Sequence, residues 1–183
     1  MPRDYDAERF RRLALYIASR SANDTTFGKT KLAKILFYSD FVAYTKLGDS
    51  ITGATYSKFP RGPFPRVMGK ELEQIQRCGA GVVARADYFG KPQERLVPLT
   101  EVDPNLFSAA EISIVEQVIE ELRESDASSV SELSHLDPAW LYVDDMAPIP
   151  YELAWVSDAA PSEEVIRIGQ EAAARLGLLN AAS

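Results

Sequence analysis

Residues Gly28 to Pro65, GKTKLAKILFYSDFVAYTKLGDSITGATYSKFPRGPFP, constrain the fold more than any other stretch of the chain. Leu32, Ile35, Leu36, Val42 and Ala43 recur at helical spacing, and Phe37, Phe41 and Tyr44 add a second apolar stripe. A helix apolar on more than one face needs cover on more than one side, so this segment is a central element. Gly48 stops it where the periodicity ends. A Gly-Asp-Ser turn then leads into Ile51 to Phe59, whose β-branched and aromatic residues read as a short strand. Pro60, Gly62, Pro63 and Pro65 form a rigid corner expected to break any further pairing.

The flanking sequence supplies the cover. A first helix is expected over about Asp6 to Ser19, with Phe10, Leu13, Ala14 and Ile17 on one face. Ser21 to Phe27 is a polar turn, and Thr26 or Gly28 caps the central helix. A third helix begins about Arg66, just after Pro65, runs to Arg77 and ends at Gly79. Val82 to Leu99 reads as a hairpin with a glycine-proline turn in YFGKPQERL, and Pro98 either ends its second strand or places it on a sheet edge. Ser108 with Glu111 is a capping box for a helix carrying Ile112, Val115, Ile119 and Leu122. Ser128 to His135 is a shorter helix, after which Pro138 starts or bends the next turn. A last helix runs from about Pro161 to Leu176 and is closed by Gly177.

The sequence has no internal repeat and no low-complexity tract. Trp155 to Ala160, small and polar, is the one linker candidate, and it is too short to separate two domains. The expectation is therefore a single domain over residues 1–183, α+β but predominantly α-helical. A central buried helix is surrounded by helices and by a small antiparallel hairpin, with the core over about residues 7–151. The C-terminal helix is either packed on that body or an arm for a partner.

Composition excludes several classes. A chain of 183 residues buries about 70% of its unfolded surface, enough for a conventional core. The single Cys78 excludes a disulfide scaffold and a four-thiolate zinc site and fits a reducing compartment. The charged start MPRDYDAERF lacks the apolar run of a secretory signal, and no apolar run reaches membrane length. A soluble cytoplasmic protein is expected, with no membrane partner. Twenty Lys and Arg against 27 Asp and Glu give a net charge of −7, so a nucleic-acid partner is not expected. The local basic groups, Arg9, Arg11 and Arg12 and the row Lys29, Lys31 and Lys34, read as solvated helix faces. An acidic surface suits capping a basic partner.

The search for catalytic chemistry returns little. His135 is the only histidine, so any histidine-based acid–base or metal scheme runs through it. Asp137, Asp144 and Asp145 lie near enough in sequence to orient an imidazole, but no nucleophile motif accompanies them. The structural reading is that His135 caps or crosslinks a helix end with Trp140 filling the core beside it. Cys78 falls at a helix C-terminus, where the dipole raises a thiol pKa. Gly62, Gly79 and Gly81 assemble neither a P-loop nor a dinucleotide fingerprint. The expectation is no catalytic residue, no metal, no cofactor and no enzyme.

The KLAKILFYSDF helix, the GDSITGATYSKFPRGPFP corner and the later SELSHLDPAW stand in one order, with a hairpin and helix between them. In that order the chain resembles the Panacea domain, the SocA-like antitoxin family of bacterial and phage toxin–antitoxin systems, over roughly Ala7 to Tyr151. Asp40, Gly62, Pro63, Ser134, His135 and Trp140 are the structural motif residues of that resemblance. Phe64 departs from it, since the corner more often continues with a small aliphatic residue. The resemblance implies an antitoxin that neutralises a cognate toxin, encoded by an adjacent gene, through stoichiometric protein–protein binding. It also implies a toxin that targets translation, including enzymes of the small alarmone-synthetase type, and a part in phage defence. Three alternatives stay open: an adaptor that delivers a toxin to a cytosolic protease, using the small-residue tail Leu178 to Ser183; a nucleic-acid-binding regulator using the Lys29, Lys31, Lys34 row as an exposed stripe; and an enzyme with His135 in an open cleft. Homo- or hetero-oligomerisation is left open as well.

The residues themselves add a recognition surface. Tyr38, Tyr44, Tyr56, Phe59 and Phe64 bring aromatics to the rigid corner, flanked by Lys58 and Arg61. Interface cores favour Tyr, Phe and Arg, and a proline-stiffened corner lowers the entropy cost of docking. The expected partner-binding set is Lys34, Tyr38, Tyr56, Lys58, Phe59, Arg61 and Phe64, with core packing as the competing role for the aromatics.

Overall fold

A computed structural model of the chain describes residues 2–88, 91–135, 137–156 and 167–168. The double apolar stripe becomes α2 (Lys29–Leu47), in which Leu32, Ala33, Ile35, Leu36, Phe37 and Ala43 are all buried. Its cover comes from every direction: α1 (Ala7–Arg20), α4 (Ala109–Leu122), α5 (Ala127–His135), strands β2 (Gly62–Pro65) and β4 (Lys91–Pro98), and a 3₁₀ turn at Tyr151–Trp155. Each buried Leu, Ile or Phe contributes about 1.5–3 kcal/mol, so this helix is a major part of the core, with the Tyr38, Val42 and Thr45 stripe and its two ends partly open. Gly48 ends α2 at φ +79°, with its N–H donating to the Tyr44 carbonyl. Gly28 is the N-cap residue, although without a side chain to cap with.

Local signals account for the remaining helices. The Asp6 carboxylate caps α1 by accepting from the Glu8 and Arg9 amides, while the Asp6 N–H donates to Thr52 and ties the helix start to the turn after α2. Phe10, Leu13, Ala14 and Ile17 face inward as expected. The capping box of α4 is present, with Ser108 and Glu111 each closing on the other's backbone N–H. Helix α3 (Met68–Arg77) starts two residues later than expected, after the strand pairing has run one step further through the Arg66 N–H to the Thr55 carbonyl. The hairpin β3 (Gly81–Tyr88) and β4 pairs antiparallel from Gly81↔Pro98 to Tyr88↔Lys91, so Pro98 ends its strand. The short α6 (Pro138–Leu141) follows α5 directly. The helix expected over residues 161–176 lies outside the described residues except Arg167 and Ile168, which are helical. No helix among the described residues is long and apolar enough to cross a membrane.

Two expectations are corrected. The proline corner does not end pairing: β1 (Tyr56–Phe59) pairs with β2 in the register Tyr56↔Pro65, Ser57↔Phe64, Lys58↔Pro63 and Phe59↔Gly62. Prolines are tolerated there because β2 is a short outer strand whose missing N–H groups break no central ladder. The other edge of β1 is covered too. Ile149 N–H donates to Tyr56 O at 2.8 Å, Lys58 N–H to Ala147 O at 3.0 Å, and Met146 N–H to Lys58 O at 2.8 Å. β1 is therefore the middle of three extended segments.

The basic groups are the second correction. Arg9, Lys31 and Lys34 are buried rather than solvated. The Arg9 guanidinium donates to Ile51 O, Leu106 O and Glu111, and so locks α1 to α4 and to the turn after α2. Lys31 Nζ donates to Asp24 at 2.6 Å and to the carbonyls of Arg123 and Ser125, clamping the α4–α5 connection onto the start of α2. A buried cation needs hydrogen-bonding partners: Arg9 and Lys31 each meet a carboxylate and backbone carbonyls at these joints, whereas Lys34 meets the Pro63 carbonyl. Lys29, the remaining member of the row, is the more exposed one and pairs with Glu94 at 3.1 Å.

Candidate partner-binding site

The β1–β2 hairpin is anchored from within by two buried polar centres on α2. The first is Asp40, fully buried. Its Oδ1 accepts from the Ile51 and Thr52 amides at 2.8 Å each, and its Oδ2 accepts from the hydroxyls of Thr52 and Tyr56, the latter at 2.7 Å. Burial pushes this carboxyl pKa up, and the four donors pull against that rise. Asp40 thus fixes the whole turn from Ile51 to Tyr56 onto the helix. Tyr151 completes the wall, stacking on Phe41 at 4.7 Å while its hydroxyl donates to Ala54 O.

The second centre is Lys34. Its side chain is 1% exposed, and Nζ donates to Pro63 O at 2.8 Å. Burial pushes its pKa down to about 7. Gly62 sits against it at φ +87°, where a Cβ would collide with Ser134 Oγ and approach Lys34 Nζ. Only glycine allows both that backbone conformation and that approach. Ser134, buried on α5, donates to Ser131 O. Lys34, Gly62, Pro63 and Ser134, scattered over a hundred residues of sequence, therefore meet at one joint between α2, the hairpin and α5.

The outer side of the hairpin carries a third cluster. Lys58 Nζ donates to Val143 O at 2.9 Å, lies 4.2 Å from the centre of the Trp140 ring, and is 3.8 Å from an Asp145 carboxylate oxygen. Trp140 in turn stacks on His135 at 4.3 Å, and both are half-buried. His135 Nε2 and Trp140 Nε1 are buried without a hydrogen-bond partner among the described residues. The two rings pack face to face, and Lys58 adds a cation–π contact on the indole.

The expected partner-binding residues consequently separate. Tyr56 and Lys34 are corrections: both are buried, because Asp40 and Pro63 O require their polar ends inside. Tyr38 is partly buried, packs edge-on against Phe37 at 5.2 Å, and has its hydroxyl pKa raised by burial and then by Asp137. The Lys58 ammonium is engaged internally. Arg61 is exposed at the hairpin tip, and Phe59 meets Phe64 edge-on at 5.9 Å with both half-buried. Phe64, the residue departing from the usual corner, is thus seated on a neighbouring ring.

Sequence reasoning missed the segment beside β1. Leu141, Tyr142, Asp144, Asp145 and Met146 are all exposed there. Ala147 to Pro150, which follows it, runs extended along β1, a conformation that Pro148 and Pro150 favour. Met146, at φ 64°, is the one positive-φ non-glycine among the described residues. No pattern of residue types announces that conformation for a methionine.

A family model described as the SocA-like antitoxin, Panacea domain, matches residues 32–141, more than half of the chain. No curated protein and no solved structure matches. The matched span begins inside α2, includes Asp40, the β1–β2 hairpin and the Ser134–His135–Trp140 joint, and ends with α6.

Proposed function

The chain belongs to the SocA-like antitoxin family defined by the Panacea domain, and we propose that it neutralises a cognate protein toxin by direct, stoichiometric binding rather than by catalysis. The observation that carries this reading is the family match, which spans the hairpin and the joint holding it. Physical features support it. The hairpin is fastened at Asp40, Lys34 and Lys58, so a partner meets a preformed surface and loses little entropy in ordering it. His135 is stacked against Trp140, which suits a structural role better than that of a base. The regulator alternative needs an exposed row at Lys29, Lys31 and Lys34, whereas two of these are buried.

Toxin identity follows from the gene neighbourhood, with a translation-targeting enzyme as the class proposed. Co-expression with the adjacent reading frame should rescue growth, and the two purified proteins should co-elute on size exclusion. Rescue without any complex would refute direct binding and point to the enzyme or regulator readings instead.

A further inference from the structure

Resting on the antitoxin reading above, we propose that the segment Leu141–Met146 is the principal toxin-docking surface, and that it takes a patch of the toxin with basic groups around an apolar centre. Leu141, Tyr142 and Met146 are 47%, 63% and 54% exposed along one short stretch, with exposed Leu133 on the adjoining α5. Scattered exposed apolar residues are ordinary; three within six residues, two of them Tyr and Met, have the composition of an interface core.

Charge selects the partner. Asp144 and Asp145 stand exposed within the segment and Glu132 beside Leu133. Lys58 lies 3.8 Å from Asp145 while donating inward to Val143 O beneath the Trp140 face, and exposed Arg66 donates to Met146 O, so three carboxylates stand against two cations. The field presented outward is acidic, on a chain of net charge −7, and it favours a basic face.

The segment is also rigid. Met146 is pinned on both sides: its N–H donates to Lys58 O, and its carbonyl accepts from Arg66 at 2.9 Å. Ala147 N–H closes the turn on Asp144 O, and Lys58 N–H returns to Ala147 O. These bonds hold Met146 at φ 64°, a conformation that non-glycine residues keep only when the surroundings impose it. Such strain is found where a side chain is being presented, and here it directs an exposed thioether outward.

The test titrates the toxin identified by the rescue assay against full-length variants by calorimetry, with melting temperatures alongside. Met146→Gly removes the side chain and relieves the backbone strain together, so it should weaken binding at least about tenfold while leaving the melting temperature unchanged or higher. Asp144→Lys with Asp145→Lys should weaken binding by a similar factor and flatten its salt dependence. Glu120→Lys with Glu124→Lys, the same charge change at the exposed end of α4 and the turn after it, should leave affinity within about twofold. Wild-type affinity in both segment variants would overturn the inference while leaving the antitoxin reading intact. Equal losses from both charge reversals would overturn it as well, since the overall field would then be responsible. A wild-type dimer that Met146→Gly dissociates without touching toxin affinity would assign the surface to a second copy. A wild type that forms no toxin complex fails at the earlier step and refutes the direct-binding reading itself.

Discussion

Lys34→Met isolates the least ordinary group in the protein. Lys34 is an ammonium with one backbone acceptor, Pro63 O, and burial pushes its pKa from 10.5 down to about 7. A base whose folded pKa lies below its unfolded value binds fewer protons folded than unfolded between the two, so stability rises with pH across that window. Between about pH 7.5 and about pH 9.5 this linkage adds roughly 2–3 kcal/mol to the wild type. Methionine fills similar volume and cannot titrate. It leaves Pro63 O unpaired, a cost of about 1–3 kcal/mol that does not vary with pH. Urea unfolding of both proteins at several pH values gives the difference directly, and groups common to both cancel. The window stops below pH 10 because the buried Tyr56 and Tyr151 hydroxyls, with pKa values raised by burial, destabilise the fold above it. The variant should fall behind the wild type progressively as pH rises. A wild-type-minus-variant difference that stays constant within a few tenths of a kcal/mol would mean that Lys34 titrates normally in the folded state, and the burial argument would be wrong.

Four further outcomes follow from the same joints. Tyr56→Phe removes one of four donors to buried Asp40 and should cost about 1–3 kcal/mol in thermal unfolding; no loss would mean that the other three donors suffice. Gly62→Ala should cost about 1–3 kcal/mol from its positive φ alone, with more from the collision with Ser134, and unaltered stability would show that the hairpin does not seat on α5. Trp140→Ala should destabilise by about 2–3 kcal/mol, less than a fully buried tryptophan because it is half-exposed, while folded His135→Gln should keep neutralisation. Complete loss of activity in that folded glutamine variant would refute the structural role of the imidazole.

The rigid joints also bear on how the docking surface is built. β1 is central: Asp40 holds the turn leading into it through Tyr56, Lys34 holds its partner strand through Pro63, and Lys58 holds the segment that presents Met146. Damage at any of these anchors should reach toxin binding through positioning, without the altered residue touching the toxin. Binding measurements on joint variants therefore need the melting curve beside them.

The sequence by itself determined the elements and the family. Periodicity located α1, α2 and α4 because a helix face must match the 3.6-residue repeat, and the Asp6, Ser108–Glu111 and Gly48 signals set their ends through bonds made within a few residues. The ordered motifs around Asp40, Gly62 and Ser134–His135 pointed to the Panacea domain that the family match bears out. Only the tertiary structure decided which polar residues face inward. Lys31 and Lys34 look like one solvated row, yet each ammonium finds its acceptors on chain distant in sequence, at Arg123 and Ser125 or at Pro63. Tyr56 reads equally well as an interface aromatic until its hydroxyl meets Asp40 sixteen residues earlier. Local patterns carry local hydrogen bonds, whereas the burial of a charge depends on partners that only the fold brings together. The third extended segment and the strained Met146 belong to the same class, since both are imposed by β1 from outside their own stretch of sequence.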